Sequence, residues 1–80
     1  MPATGVTTDI LLTWLQDHGS LVREYLDLDA EVAWLHNEVE RNAGSGTVIQ
    51  QYRVARLAVK REHLAQCVTE ITAAWEKVAP

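Results

Sequence analysis

Apolar residues recur at steps of three and four along two long stretches of this chain. The first carries Leu21, Tyr25, Leu28, Val32, Leu35 and Val39. The second carries Val54, Leu57, Leu64, Val68, Ile71, Trp75 and Val78 in the same rhythm, with Arg61 occupying one place in the series. A repeat near 3.5 residues keeps one stripe of a helix turned toward a neighbour, so each stretch reads as a coiled-coil-like helix. No alternation of the strand type runs long enough to compete.

Between the two stretches lies 42-NAGSGT-47. Asn42 and Gly44 suit the end of a helix, where left-handed backbone is common. Thr47, followed three places later by Gln50, suits the start of the next as a capping box. Short loops join antiparallel neighbours. The expected fold is therefore all-α: an antiparallel helical hairpin with a short or kinked N-terminal extension, dimerising into a helical bundle.

Folding about the loop centre sets a register. Leu35 meets Val54, Val32 meets Leu57, Tyr25 meets Leu64 and Leu21 meets Val68. The same alignment carried outward sets Trp14 against Trp75 and Leu11 against Val78. The expected core is Leu28, Val32, Leu35, Val54, Leu57 and Leu64. Charge agrees with this alignment. Six acids and no base lie from Glu24 to Glu40, and four bases and no acid lie from Arg53 to Arg61. Pairs Glu38–Arg53 and Glu31–Lys60 are expected along one edge, selecting register more than adding stability.

Upstream, Thr7 or Thr8 can cap a helix that begins near Asp9, and Leu11, Trp14 and His18 continue the stripe. Gly19-Ser20 reads as a kink or as a stop followed by a new start. The expected organisation is one helical domain over 1–80. It comprises a leader at 1–7, a first arm over about 8–42 with a kink or break at 19–20, a loop at 43–47, and a second arm over about 48–78.

Composition narrows the class. A chain of 80 residues buries only about 60% of its unfolded surface, which favours association. With 48% hydrophobic and 22% charged residues it reads as globular, not disordered. A net charge of −4 argues against nucleic acid as partner. The lone Cys67 forms no internal disulfide, as suits a reducing compartment. The opening MPATGVTTDILL lacks the basic start and apolar centre of a signal peptide. No apolar run approaches the roughly 20 residues of a membrane span. A cytoplasmic protein with no membrane partner is expected.

One hairpin seam leaves apolar residues over. Leu12, Leu15, Val22 and Leu26 flank the first arm. Val48, Tyr52, Ala55 and Val59 make a stripe on the second, with Ile49 and Trp34 adding bulk. Either the N-terminal segment folds back over some of them as a three-helix bundle, or they meet a second hairpin or another protein. Contiguous apolar surface of this kind usually marks an interface. Leu12, Leu15, Val22, Leu26, Trp34, Val48, Tyr52 and Val59 are the expected partner or dimer contacts.

Chemistry has fewer candidates. In 61-REHLAQC-67, His63 and Cys67 stand four apart, the spacing that stacks two side chains on one helix face as metal ligands. The segment LAVKREHLAQCV resembles the ligand-bearing helix of the copper-sensing operon repressor family, a group of dimeric helical proteins, through His63, Leu64, Cys67 and Val68. The resemblance implies a metal-responsive regulator using His63 and Cys67. This chain has Glu38 where that family carries its other cysteine ligand, and its first arm is acidic where the family's is basic. A third donor is needed to hold Zn²⁺ or Cu⁺ firmly, and Glu62 or Glu24 are the oxygen donors at hand. The reading of the residues themselves is no metal site: a boundary cysteine and a surface histidine.

His36, Glu38 and Glu40 cluster near the loop without a nucleophile–base–orienter arrangement, and AGSG lacks the Lys-Ser/Thr of a phosphate loop. Neither catalysis nor a cofactor is expected. Two functions remain as expectations. One is a small non-enzymatic helical module that acts by protein–protein binding as adaptor, regulator or inhibitor, of the kind phages direct at host proteins. The other is a metal- or ligand-responsive helical transcriptional regulator.

Overall fold

The computed structural model describes residues 8–78. It contains three helices, α1 (Thr8–Asp17), α2 (Gly19–Arg41) and α3 (Val48–Glu76), and no strand among the described residues. α2 and α3 pair antiparallel along their length as a hairpin. The polar leader at 1–7, including Thr7, lies outside the described residues.

The turn follows from local hydrogen bonding. Asn42 ends α2 by donating twice to the Glu38 carbonyl, from its backbone N–H at 3.2 Å and from Nδ2 at 2.8 Å. Gly44 then takes φ of +86°, a left-handed conformation that only a residue without Cβ adopts cheaply. Thr47 caps α3, its Oγ1 accepting from the Gln50 N–H at 3.1 Å. The reciprocal half of the capping box is absent. Gln50 is buried and its side chain crosses the hairpin, donating from Nε2 to the Val39 carbonyl at 3.1 Å. Burial explains the change: inside the seam, the amide satisfies an interhelical acceptor.

The first arm breaks at His18, one residue before Gly19, where φ is −121° and ψ is 21°. The break is slight. His18 N–H still bonds the Trp14 carbonyl at 2.9 Å, and Val22 N–H bonds the His18 carbonyl at 3.0 Å. The imidazole stacks on the Trp14 ring with centroids 4.7 Å apart. α1 therefore extends the hairpin and does not lie back across it. The molecule measures 56 × 22 × 16 Å, and the long axis is close to 1.5 Å per residue over Thr8–Arg41. Its radius of gyration, 17.5 Å, far exceeds the roughly 12 Å of a compact chain this long.

Register is as the loop implies. Trp14 meets Trp75, Gln50 reaches Val39, and the Cys67 thiol donates to the Leu21 carbonyl at 3.6 Å. On α2 the buried and half-buried residues include Leu21, Tyr25, Leu28, Val32, Leu35 and Val39, the stripe read from the sequence. On α3 the seam is rotated. Gln50, Arg53, Leu57, Lys60, Leu64, Cys67, Ile71 and Ala74 are wholly or partly covered. Val54 and Val68, expected in the core, remain 48% and 43% exposed. The rotation has a physical cause. Val54, Arg61 and Val68 form one row, and burying it would bury the Arg61 guanidinium at large cost. Turning that row outward leaves Arg61 in water and seats Cys67, a small apolar side chain, against α2. It brings Arg53 and Lys60 only to the seam's edge, where their charged ends reach Trp34 and Glu31. Leu11 and Val78 at the open end also stay exposed.

Candidate functional site

The rotated seam gives the hairpin two unlike long faces. One is ion-paired. Glu31 is its hub: Oε2 accepts from Arg56 Nε at 2.8 Å and lies 2.6 Å from Nη2, while Oε1 lies 3.4 Å from Lys60 Nζ. The Arg56 hydrogen bond holds the Glu31 carboxyl below the usual carboxylate range, and Glu31 in turn raises the Arg56 guanidinium. His63 Nε2 sits 3.4 Å from Glu24 on the same side. The expected pair Glu31–Lys60 is present. The expected Glu38–Arg53 pair is not, because Glu38 contacts Arg41 one turn on at 3.6 Å. Arg53 instead stands over the Trp34 ring, its guanidinium carbon 5.9 Å from the centroid.

The opposite face is apolar toward the open end. Trp14, Leu15, Val22, Tyr25, Val68, Ile71 and Thr72 line a groove between the arms. Leu15, Val22 and Leu26 continue it across the outer side of the first arm. Nearer the loop the same face turns polar, where Arg61 Nη2 and His36 Nδ1 lie 2.9 Å apart.

A third region surrounds the loop end of α3. Trp34 is 54% exposed, Tyr52 59% and Val48 80%, with Ile49 and Val59 also in water. Tyr52 Oη accepts from Arg56 Nη1 at 3.2 Å, so the ring is steered by the guanidinium that also holds Glu31. Exposed Trp and Tyr beside Arg is the composition of protein-binding hot spots.

Of the residues expected at an interface, Leu12, Leu26, Trp34, Val48, Tyr52 and Val59 are largely exposed, Leu15 less so, and Val22 half-buried. They do not make one patch. Leu15, Val22 and Leu26 belong to the apolar face, while Tyr52 and Trp34 share the arginine-rich surroundings described above. Val54 and Val68 were missed as surface residues. Their signal was Arg61, which stands in the same row and marks it as turned away from α2.

The metal candidates part company. His63 faces Glu24, whereas Cys67 is 1% exposed and donates to the Leu21 carbonyl, so it is a core residue and not a boundary one. Burial raises the Cys67 thiol, with the Glu24 and Glu70 carboxylates adding to the effect. A protonated thiol bonded to a carbonyl is a poor ligand. No cluster of three or more His, Cys, Asp or Glu fit to hold a metal occurs among the described residues. Nor is any helix there long and apolar enough to cross a membrane.

No family model matches this chain, and no curated protein or solved structure is similar to it.

Proposed function

We propose that this protein is a small, non-enzymatic helical interaction module of the cytoplasm, self-associating and acting by binding another protein as adaptor, regulator or inhibitor. The observation that carries the reading is the exposed Trp34, Tyr52 and Val48 beside Arg53 and Arg56 at the loop end. Large aromatic side chains held in water by neighbouring guanidiniums gain most when another surface covers them. The slender hairpin supports the same reading from another direction. Its accessible surface is 5786 Å², against roughly 4,900 Å² for a compact monomer of this mass.

Paired changes test it. Tyr52→Glu with Val59→Glu, and separately Trp34→Ala, alter side chains that the folded hairpin does not bury. Each variant is expected to keep its helicity by circular dichroism and to lose a protein that the parent retains on a tagged column. Equal retention by parent and both variants, with all three folded, sinks the loop-end surface as the binding site.

A further inference from the structure

We propose that the apolar face formed by Leu15, Val22, Leu26, Val54 and Val68 receives a second copy of this chain. The two-fold axis runs along the hairpin and sets Asp29 of each copy beside Arg61 of the other. The proposal rests on the reading of the protein as a self-associating module, and names the face and the arrangement.

Three observations converge on that occupant. The first is the rotated seam. Turning the Arg61 row away from α2 leaves Val54 and Val68 on the apolar face at about half exposure, a second stripe that α2 does not cover. Helices that share their apolar surface between two neighbours bury more than one stripe, as each helix of a four-helix bundle does. α3 is built that way, with one stripe on α2 and a second left open.

The second is area. A standard interface takes roughly 800 Å² from each partner. The surface the chain exposes beyond that of a compact monomer is of similar size.

The third is charge, and it selects the partner. Val22, Asp29 and His36 form one row on α2, and Val54, Arg61 and Val68 form one row on α3. The contacts Trp14–Trp75 and Gln50–Val39 fix heights along the hairpin. By that alignment Val22 stands level with Val68, and Asp29 level with Arg61. Both charged residues are exposed; Asp29 has no ion-pair partner among the described residues, and Arg61 meets no acid there, only the His36 ring at 2.9 Å. A two-fold axis along the hairpin preserves every height and brings α2 of one copy beside α3 of the other. Val22 then faces Val68 of the second copy, and Asp29 faces its Arg61, twice over as symmetry requires. An axis across the hairpin would instead lay the apolar end of one copy on the Asp29, His36 and Arg61 end of the other. The face is complementary to itself in only the first arrangement.

Sedimentation or light scattering reads the outcome directly. The parent is expected at the mass of two 9.0 kDa chains. Val68→Glu should halve that mass with helicity unchanged, because Val68 is already half in water within one chain. Asp29→Arg sets like charges opposite each other and should weaken the dimer about tenfold or more. Asp29→Arg combined with Arg61→Asp exchanges the pair and should restore the dimer. The charge exchange remains decisive if Val68→Glu fails to fold, since both residues lie on the surface. A monomeric parent overturns self-association and the face together, while loop-end binding keeps its separate test through Trp34 and Tyr52. A dimer indifferent to Asp29→Arg and Val68→Glu overturns this face alone.

Discussion

Trp14 meets Trp75 edge to face across the open end of the hairpin, ring centroids 5.4 Å apart and planes at 87°. Perpendicular rings set the positive edge of one on the negative face of the other, which adds about 0.5–1.5 kcal/mol to the area they bury. Because Trp14 lies in α1 and Trp75 near the end of α3, this contact holds the N-terminal helix in line with the hairpin. Trp75→Ala should lower stability by about 2–4 kcal/mol, below the full range for a Trp buried throughout, since Trp75 is only partly covered. Denaturant melts followed by circular dichroism check this. An unchanged midpoint would mean that α1 is held by something else.

The rotated seam separates two leucine-zipper-like readings that the apolar pattern alone does not. Leu57 is buried at 6% exposure whereas Val54, three residues away, is half exposed. Leu57→Ala should cost about 2–5 kcal/mol and Val54→Ala less than about 1 kcal/mol, measured below the concentration at which chains associate. Comparable losses from the two would return Val54 to the core and undo the rotation.

How far the sequence reached can be told from these residues. The turn was legible because its chemistry is local: Asn42, Gly44 and Thr47 act on backbone groups within a few positions. Register was legible because loop length fixes it once the loop is found. The face α3 presents was not, because period 3.5 admits two adjacent stripes. Hydrophobicity favoured the row of Val54 and Val68. The opposing effect was desolvation of Arg61, which has no acidic partner among the described residues, whereas Lys60 enters the rotated seam at its edge beside Glu31. Gln50 departs only in part: its N–H is capped by Thr47 as expected, while its side chain makes a buried interhelical hydrogen bond and does not close the capping box. Surface groupings were beyond reach, because Trp34 and Arg53 come together only after the arms close.

Gly44 should resist substitution while Gly46 tolerates it. A Cβ meets nothing within 4 Å at either position, so space does not distinguish them. Conformation does: Gly44 alone has a left-handed φ, which costs an L-residue about 1–2 kcal/mol. Gly44→Ala should lower the melting temperature measurably and Gly46→Ala should not. Equal melts would show that the turn relaxes.

Cys67 should be slow toward thiol reagents. Its sulfur is covered by α2 and its thiol is shifted upward by burial, so little thiolate exists at pH 8 to attack. A chromogenic disulfide reagent should react slowly with the folded protein and at the rate of an ordinary thiol in denaturant. Rapid labelling of folded chain would place the sulfur in water and reopen its candidacy as a ligand.

The last prediction concerns acid. Glu31 accepts a hydrogen bond from Arg56, is ion-paired with it and lies beside Lys60, and its carboxyl is held below the usual range in the folded chain. A carboxyl whose folded pKa lies below its unfolded value stabilises the fold above the unfolded value, about 4.3 for Glu. That contribution is fully present at neutral pH and is lost as pH falls below about 4.3 and through the lower folded value. Glu31→Gln keeps the shape and a single acceptor oxygen but removes the charge. The parent should therefore lose stability relative to Glu31→Gln on going from pH 7 to pH 3, so that the gap between their melts narrows. Raising the salt at pH 7 should narrow it less, since Arg56 holds the carboxylate by a hydrogen bond as well as by field. A gap that does not narrow toward pH 3 would mean that the carboxylate charge is not what stabilises the fold here. The register would then owe nothing to this cluster.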